Sequence, residues 1–159
     1  MSAILGNNEV INSRLFDFPP ESVFKAWTAP EQLARWWGPK GFTNTFHEFD
    51  WRPGGHWRFI MHGPDGTDYL NHNAFEEIVP QERIVLSHLT APEFQLTATF
   101  EEIDGRTKVT WRQVFKETAA FERAKSYLIE ANEQNFDRLT ALLVELQESG
   151  SHSSDSSPS

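Results

Sequence analysis

The sequence predicts an α+β fold: a curved antiparallel β-sheet wrapped around one long C-terminal helix, with two short helices after the first strand. Three observations carry this. From Phe42 to Phe115, short runs of alternating apolar and polar residues are separated by Gly, Pro and Asp turn signals, the mark of neighbouring hairpins. From Thr118 to Gln147, neither Gly nor Pro interrupts a single apolar stripe at helical spacing. Between these and the first strand lie two short segments that each begin on proline.

In chain order, Glu9 to Asp17 is the first strand, apolar on parts of both faces. Pro19-Pro20-Glu21 opens a helix whose stripe is Val23, Phe24 and Trp27. Pro30-Glu31 opens a second, with Leu33, Trp36 and Trp37, stopped by Gly38-Pro39-Lys40-Gly41. The run Phe42–Trp51 ends in the turn Arg52-Pro53-Gly54-Gly55. His56–His62 follows, with Trp57, Phe59 and Met61 on one face and His56, Arg58 and His62 on the other. Gly63-Pro64-Asp65-Gly66 turns the chain into Tyr69–Val79, and Pro80-Gln81-Glu82 into Arg83–Leu89. Phe94, Leu96, Ala98 and Phe100 alternate in the next strand. Asp104-Gly105 makes a hairpin to Val109, Trp111, Gln113 and Phe115, giving six or seven strands in all. On the final helix Phe121, Ala124, Leu128, Ala131, Leu139, Leu142 and Leu146 share a face, with Asn135 in the middle of it and Asn132 at its margin.

The 159 residues suit one domain, 1–147, followed by a Ser-rich polar tail, 148–159, expected to be disordered because it has nothing to bury. With no cysteine there is no disulfide framework, thiolate metal site or cysteine nucleophile. A net charge of −9 opposes a phosphate backbone, so no nucleic-acid partner is expected. No apolar run reaches the length of a membrane span, and Met1–Val10 does not read as a secretion signal, which makes the expected compartment the cytoplasm. Thirteen Phe, six Trp and two Tyr are a large aromatic share for so polar a chain. They suit either a bulky core or the wall of a cavity.

Several of these segments resemble a known family. They are Trp36-Trp37-Gly38-Pro39, Arg52-Pro53-Gly54-Gly55-His56-Trp57-Arg58, Gly63-Pro64-Asp65-Gly66, Glu77–Val85, Thr107–Trp111 and Asn132–Leu139. Together they are similar to homologues of the ATPase activator of the ninety-kilodalton heat-shock chaperone. That family belongs to the START-like (SRPBCC, helix-grip) superfamily, which also holds polyketide cyclases and birch-pollen-type allergens. The resemblance spans about residues 9–147 and implies a sheet gripping the last helix around a cavity. It admits a chaperone partner, which no sequence feature supports, since nothing matches the family's eukaryotic chaperone-binding amino-terminal domain. One scaffold serving unrelated functions leaves the activity to be argued from the site.

No cofactor is expected, because Rossmann and P-loop glycine patterns are absent. No metal is expected either: His47, His56, His62, His72 and His88 are scattered, and His56 and His62 share the wet face with Arg58. There is no nucleophile elbow. The informative residues are polar ones on apolar faces: Asn135 on the helix, Gln113 between Trp111 and Phe115, His88 in step with Ile84 and Leu86, and Asn71 and Asn73 in step with Phe75. Each needs a partner, which is either another side chain in a bracing network or a ligand.

The reading that follows is a binding domain for a hydrophobic or aromatic small molecule. Its cavity would be lined by Trp57, Phe59, Met61, Phe94, Leu96, Phe100, Trp111 and Leu128, with Asn71, Asn73, Gln113 and Asn135 as polar hooks. Trp36 and Trp37 would form an entrance lip or anchor the short helices. The alternatives are a cyclase- or hydrolase-type enzyme using His88 with a carboxylate as acid–base pair, and a co-chaperone or other protein-interaction module.

Overall fold

The computed structural model describes the backbone of residues 2–156, and the side chains of residues 5–148. The elements are β1 (Ser2–Gly6), β2 (Glu9–Phe16), α1 (Pro20–Thr28), α2 (Pro30–Trp36), β3 (Thr43–Phe49), β4 (His56–His62), β5 (Asp68–Val79), β6 (Arg83–His88), β7 (Phe94–Ile103), β8 (Arg106–Phe115) and α3 (Thr118–Ser156). The eight strands form one antiparallel sheet in the order β1-β2-β8-β7-β6-β5-β4-β3. The architecture is the α+β arrangement that the residue pattern predicts and the helix-grip fold that the resemblance implies.

Two elements differ from expectation. β1 precedes the strand read as first, so the short helices follow the second strand. It pairs with β2 through a tight Asn7-Asn8 turn in which Asn8 takes φ 57°, a conformation that asparagine tolerates better than most residues. At the other end, α3 continues to Ser156, past the Gln147 limit set by the apolar stripe. Leu146 is the last apolar side chain described against the core. Residues 157–159 of the expected tail, and the side chains beyond Glu148, lie outside the described residues.

Bulges bend the sheet around α3. The register shifts between Phe46 and Glu48 and between Phe75 and Glu77, each inserting one residue and sharpening the local twist. The turn after β3 depends on Gly55, where a Cβ would lie 2.1 Å from the Asp50 carbonyl oxygen. α3 packs on β2 and β8, whereas α2 covers β3, and α1 sits against α2.

The interior is split by a polar layer. On one side Val10, Phe115, Phe121, Ala124 and Leu128 form a small cluster. On the other lie Phe16, Trp27, Trp36, Trp37, Trp57, Phe59, Phe100, Trp111, Phe136 and their aliphatic neighbours. Asn12 on β2, Gln113 on β8 and Asn132 on α3 occupy the boundary, each between residues of the two clusters along its own element.

Candidate functional site

The polar layer is a connected network. Asn132 Nδ2 donates to Gln113 Oε1 at 2.8 Å and to Asn12 Oδ1 at 3.1 Å, and the Trp111 indole N–H donates to the same Gln113 oxygen at 2.9 Å. Asn12 Nδ2 donates to Glu133 Oε2 at 2.7 Å, and Glu133 in turn pairs with Arg14 at 3.0 Å. Buried amides are tolerated when every lone pair and N–H is met, and here they fasten α3 to β2 and β8. Gln113 is thus a brace.

Asn135 does not join it. Although buried, it points to the segment after α2, where its Oδ1 accepts the Gly38 N–H at 2.8 Å while Nδ2 donates to the Ala131 carbonyl. A separation of three residues turns Asn135 by about 60° from Asn132 around the helix axis, enough to face a different element. Asn132, not Asn135, is the α3 residue that meets Gln113.

One turn further along α3, Arg138 completes the grip on residues 35–42. Nη1 donates to the carbonyls of Trp37, Gly38 and Pro39, and Nη2 to those of Arg35 and Phe42, at 2.8–3.3 Å. These include carbonyls from the end of α2, where a cation is favoured. Partial burial pushes the guanidinium pKa down. Gln134 Oε1 accepts the Lys40 N–H at 3.0 Å, and Asn44 Nδ2 donates to the carbonyls of Ala34 and Trp37. Sequence reasoning passed over Arg138. Its signal was a basic residue three positions after Asn135, within a segment already marked as distinctive.

The gripped segment carries Trp36 and Trp37. Trp36 is fully buried and its indole N–H donates to the Ala26 carbonyl at 2.9 Å, anchoring α2 on α1. Trp37 is 8% exposed and lies inside, stacked on Trp111 with ring centroids 5.3 Å apart and planes at 26°. Its edge meets Trp57 at 5.0 Å, Trp36 at 5.6 Å and Trp27 at 6.0 Å.

Trp57 and Phe59 stack at 4.4 Å, and Phe100 meets Trp27 at 5.6 Å. Trp57, Phe59, Leu96, Phe100 and Trp111 thus share one aromatic interior, with Met61 at its edge against Gly38. The remaining expected wall residues fall elsewhere. Leu128 belongs to the smaller cluster, while Phe94 packs against the edges of both clusters, stacked on His88 at 4.6 Å and tilted against Phe115 at 5.2 Å. Asn71 is only partly buried and bonds locally to the Tyr69 carbonyl; beside it Tyr69 is 47% exposed, because this end of β5 projects beyond the covered part of the sheet.

Asn73 and His88 are cross-strand partners. His88 Nδ1 lies 2.7 Å from Asn73 Oδ1, and since an amide oxygen only accepts, Nδ1 carries the proton and Nε2 accepts from Thr90 Oγ1 at 3.1 Å. Burial, helped by the charge of nearby His72, pushes the His88 pKa down to about 4, so the ring is neutral at pH 7. Its partners are an amide and a hydroxyl where the acid–base reading called for a carboxylate. His56 and His72 form a second pair, with Nδ1 and Nε2 2.8 Å apart, while His62 bridges Asp68 and Thr45. Among the described residues no three His, Asp or Glu side chains converge as a metal site.

Two surface clefts flank this frame. One of about 460 Å³ is bounded by Phe18, Lys25, Gln32, Leu143 and Leu146 between α1, α2 and α3. The other, about 400 Å³, is bounded by Ser87, His88, Glu93, Phe94, Phe115 and Lys116. Neither is lined by Trp57, Phe59, Trp111, Gln113 or Asn135. Where the pattern predicts a cavity beside Trp111, the side chain of Trp37 lies instead.

Within the aromatic interior, the indole Nε1 atoms of Trp27 and Trp57 are buried and have no hydrogen-bond partner. Both rings border Trp37.

A sheet gripping a long helix over an aromatic interior defines a START-like domain. More specifically, residues 17–144 match the family described as Activator of Hsp90 ATPase homolog 1-like protein, and the chain belongs to that family. Solved structures share the fold. A protein from Arthrobacter aurescens, determined in solution, is 22% identical with a TM-score of 0.84 over 91% of each chain. A crystal structure from Nitrosomonas europaea is 19% identical, with a TM-score of 0.82 over 91% of this chain and 99% of that one. Another from Chromobacterium violaceum is 26% identical, with a TM-score of 0.75 over 85% and 96%. No curated protein matches the sequence. No helix among the described residues is long and apolar enough to cross a membrane.

Proposed function

We propose that this chain is a cytoplasmic binding protein for a hydrophobic or aromatic small molecule, received between α3 and the sheet on the wall made by Trp57, Phe59, Met61, Leu96, Phe100 and Trp111. The observation that carries the reading is the pair of buried, unpartnered indole N–H groups of Trp27 and Trp57. Leaving one such donor unmet costs about 1–3 kcal/mol, and two in one apolar cluster are readily understood if a ligand supplies acceptors there. The polar network does not serve as hooks in this reading. It holds the wall in place.

Two other readings have less support. The enzymatic one rests on His88, whose low pKa makes it a weak base near neutral pH and which no carboxylate orients. The co-chaperone reading, which the family description suggests, calls for a contiguous exposed apolar patch. The exposed large side chains Leu5, Leu15, Tyr69, Leu70, Leu89, Tyr127 and Val144 are spread over β1, β2, β5, the end of β6 and α3. The test is native mass spectrometry of the protein purified from its own host. A retained small molecule that leaves on denaturation supports binding, and bare chain alone counts against it.

A further inference from the structure

Trp37 stands in the space where a ligand would meet Trp111 and Trp57, and the way it is held differs from the rest of the core. Its ring is stacked on Trp111 and edged by Trp27, Trp36 and Trp57. Its backbone is not helical, since it caps α2 with φ −66° and ψ 128°. Two glycines at positive φ, Gly38 (104°) and Gly41 (90°), follow within four residues, a backbone conformation that any other side chain would strain. The segment is fastened by hydrogen bonds to Asn135, Arg138, Gln134 and Asn44.

An indole is a donor with no acceptor. A ring of that kind, set edge-on to Trp27 and Trp57, offers no acceptor atom to their N–H groups, and both are unmet. We propose that Trp37 is the chain's own occupant of the ligand site, and that the molecule which replaces it is a flat bicyclic aromatic carrying a hydrogen-bond acceptor. Exchange requires residues 37–41 to unlatch from Asn135 and Arg138. The inference rests on the binding reading given above and names its ligand class and its gate.

The test is calorimetric titration of the full chain with quinoline, a flat bicycle with one acceptor nitrogen, and with naphthalene, the same shape without it. Three proteins are compared: wild type, Trp37→Ala and Arg138→Gln. Removing the occupant abolishes the competition, so Trp37→Ala should bind quinoline at least about tenfold more tightly than wild type, and more tightly than it binds naphthalene. Arg138→Gln weakens the latch alone and should gain about fivefold or more. If Trp37→Ala does not fold, Arg138→Gln carries the comparison. Wild type and Arg138→Gln binding quinoline equally would overturn the exchange while leaving the binding reading standing. Equal affinity for the two probes in Trp37→Ala would overturn the acceptor. No binding by any folded variant, together with no molecule retained from the host, would overturn both the inference and the reading beneath it.

Discussion

Asn132 and Gln113 meet at 2.8 Å across the contact between α3 and β8, on an oxygen that also takes the Trp111 indole N–H. That pair joins the long helix to the aromatic wall, and it separates the two apolar clusters of the interior. Each partner is buried, so neither can exchange its bonds for water without the domain opening.

Removing one partner should therefore cost more than a surface change. Asn132→Ala and Gln113→Ala are each expected to lose about 1–3 kcal/mol of unfolding free energy in urea. The double mutant should lose less than the two together, with a coupling of about 0.5–2 kcal/mol. Strict additivity would show that the network is not shared.

Asn135→Leu acts at a different place. It strips the Gly38 N–H of its acceptor and should destabilise the domain by about 1–3 kcal/mol, with tryptophan fluorescence changing and the Asn132–Gln113 bond left in place. An unchanged or increased stability would contradict the bracing role given to this residue.

These amides also show how far the residues could be read in advance. Alternation put Trp57 with Phe59, Leu96 with Ala98 and Phe100, and Trp111 with Gln113 on the buried face, because a strand with one dry side leaves no other register. Helical angle put both Asn132 and Asn135 toward the interior. It could not separate their partners, because the two lie within one broad face and the difference depends on where α2 ends. The roles of Arg138 and Asn12 could not be read for a related reason: each is a polar residue whose partners are backbone carbonyls or side chains about a hundred residues away in sequence. Trp37 suited either an entrance lip or an anchor of the short helices, and it lies inside against Trp111. Whether an aromatic after a helix faces in or out is decided by the chain reversal at Gly38 and by the latch, neither of which has a period.

His88 should make stability depend on pH. Its folded pKa of about 4 lies below the ordinary value of 6.5, so the unfolded chain takes up this proton first as the pH falls. The contribution is complete above about pH 6.5 and is lost as the pH drops toward 4, amounting to about 3 kcal/mol. Unfolding curves between pH 7 and 4 should show this loss, and His88→Gln should remove most of it. An imidazole signal for His88 titrating near 6.5 would contradict the buried, neutral ring.

Truncation after Gln147 should shift stability by less than about 0.5 kcal/mol, because Leu146 is the last apolar side chain described against the core. Thermal unfolding of the two chain lengths checks it. A loss of several degrees would mean that the final turns of α3 contribute packing.

The central claim is that the aromatic interior receives a ligand whose acceptor meets Trp27 or Trp57. The most direct measurement is the ¹⁵N-resolved indole N–H spectrum of the wild-type chain, recorded as purified from its host and again after extraction with a hydrophobic resin. Trp36 and Trp111 already donate to Ala26 and Gln113, and they keep those hydrogen bonds in both states. The Trp27 or Trp57 signal should lie downfield in the loaded protein and move upfield on extraction, as its hydrogen bond is lost. If instead the spectra superimpose at both positions while mass spectrometry shows a molecule leaving the protein, the ligand is held somewhere else and the account is contradicted.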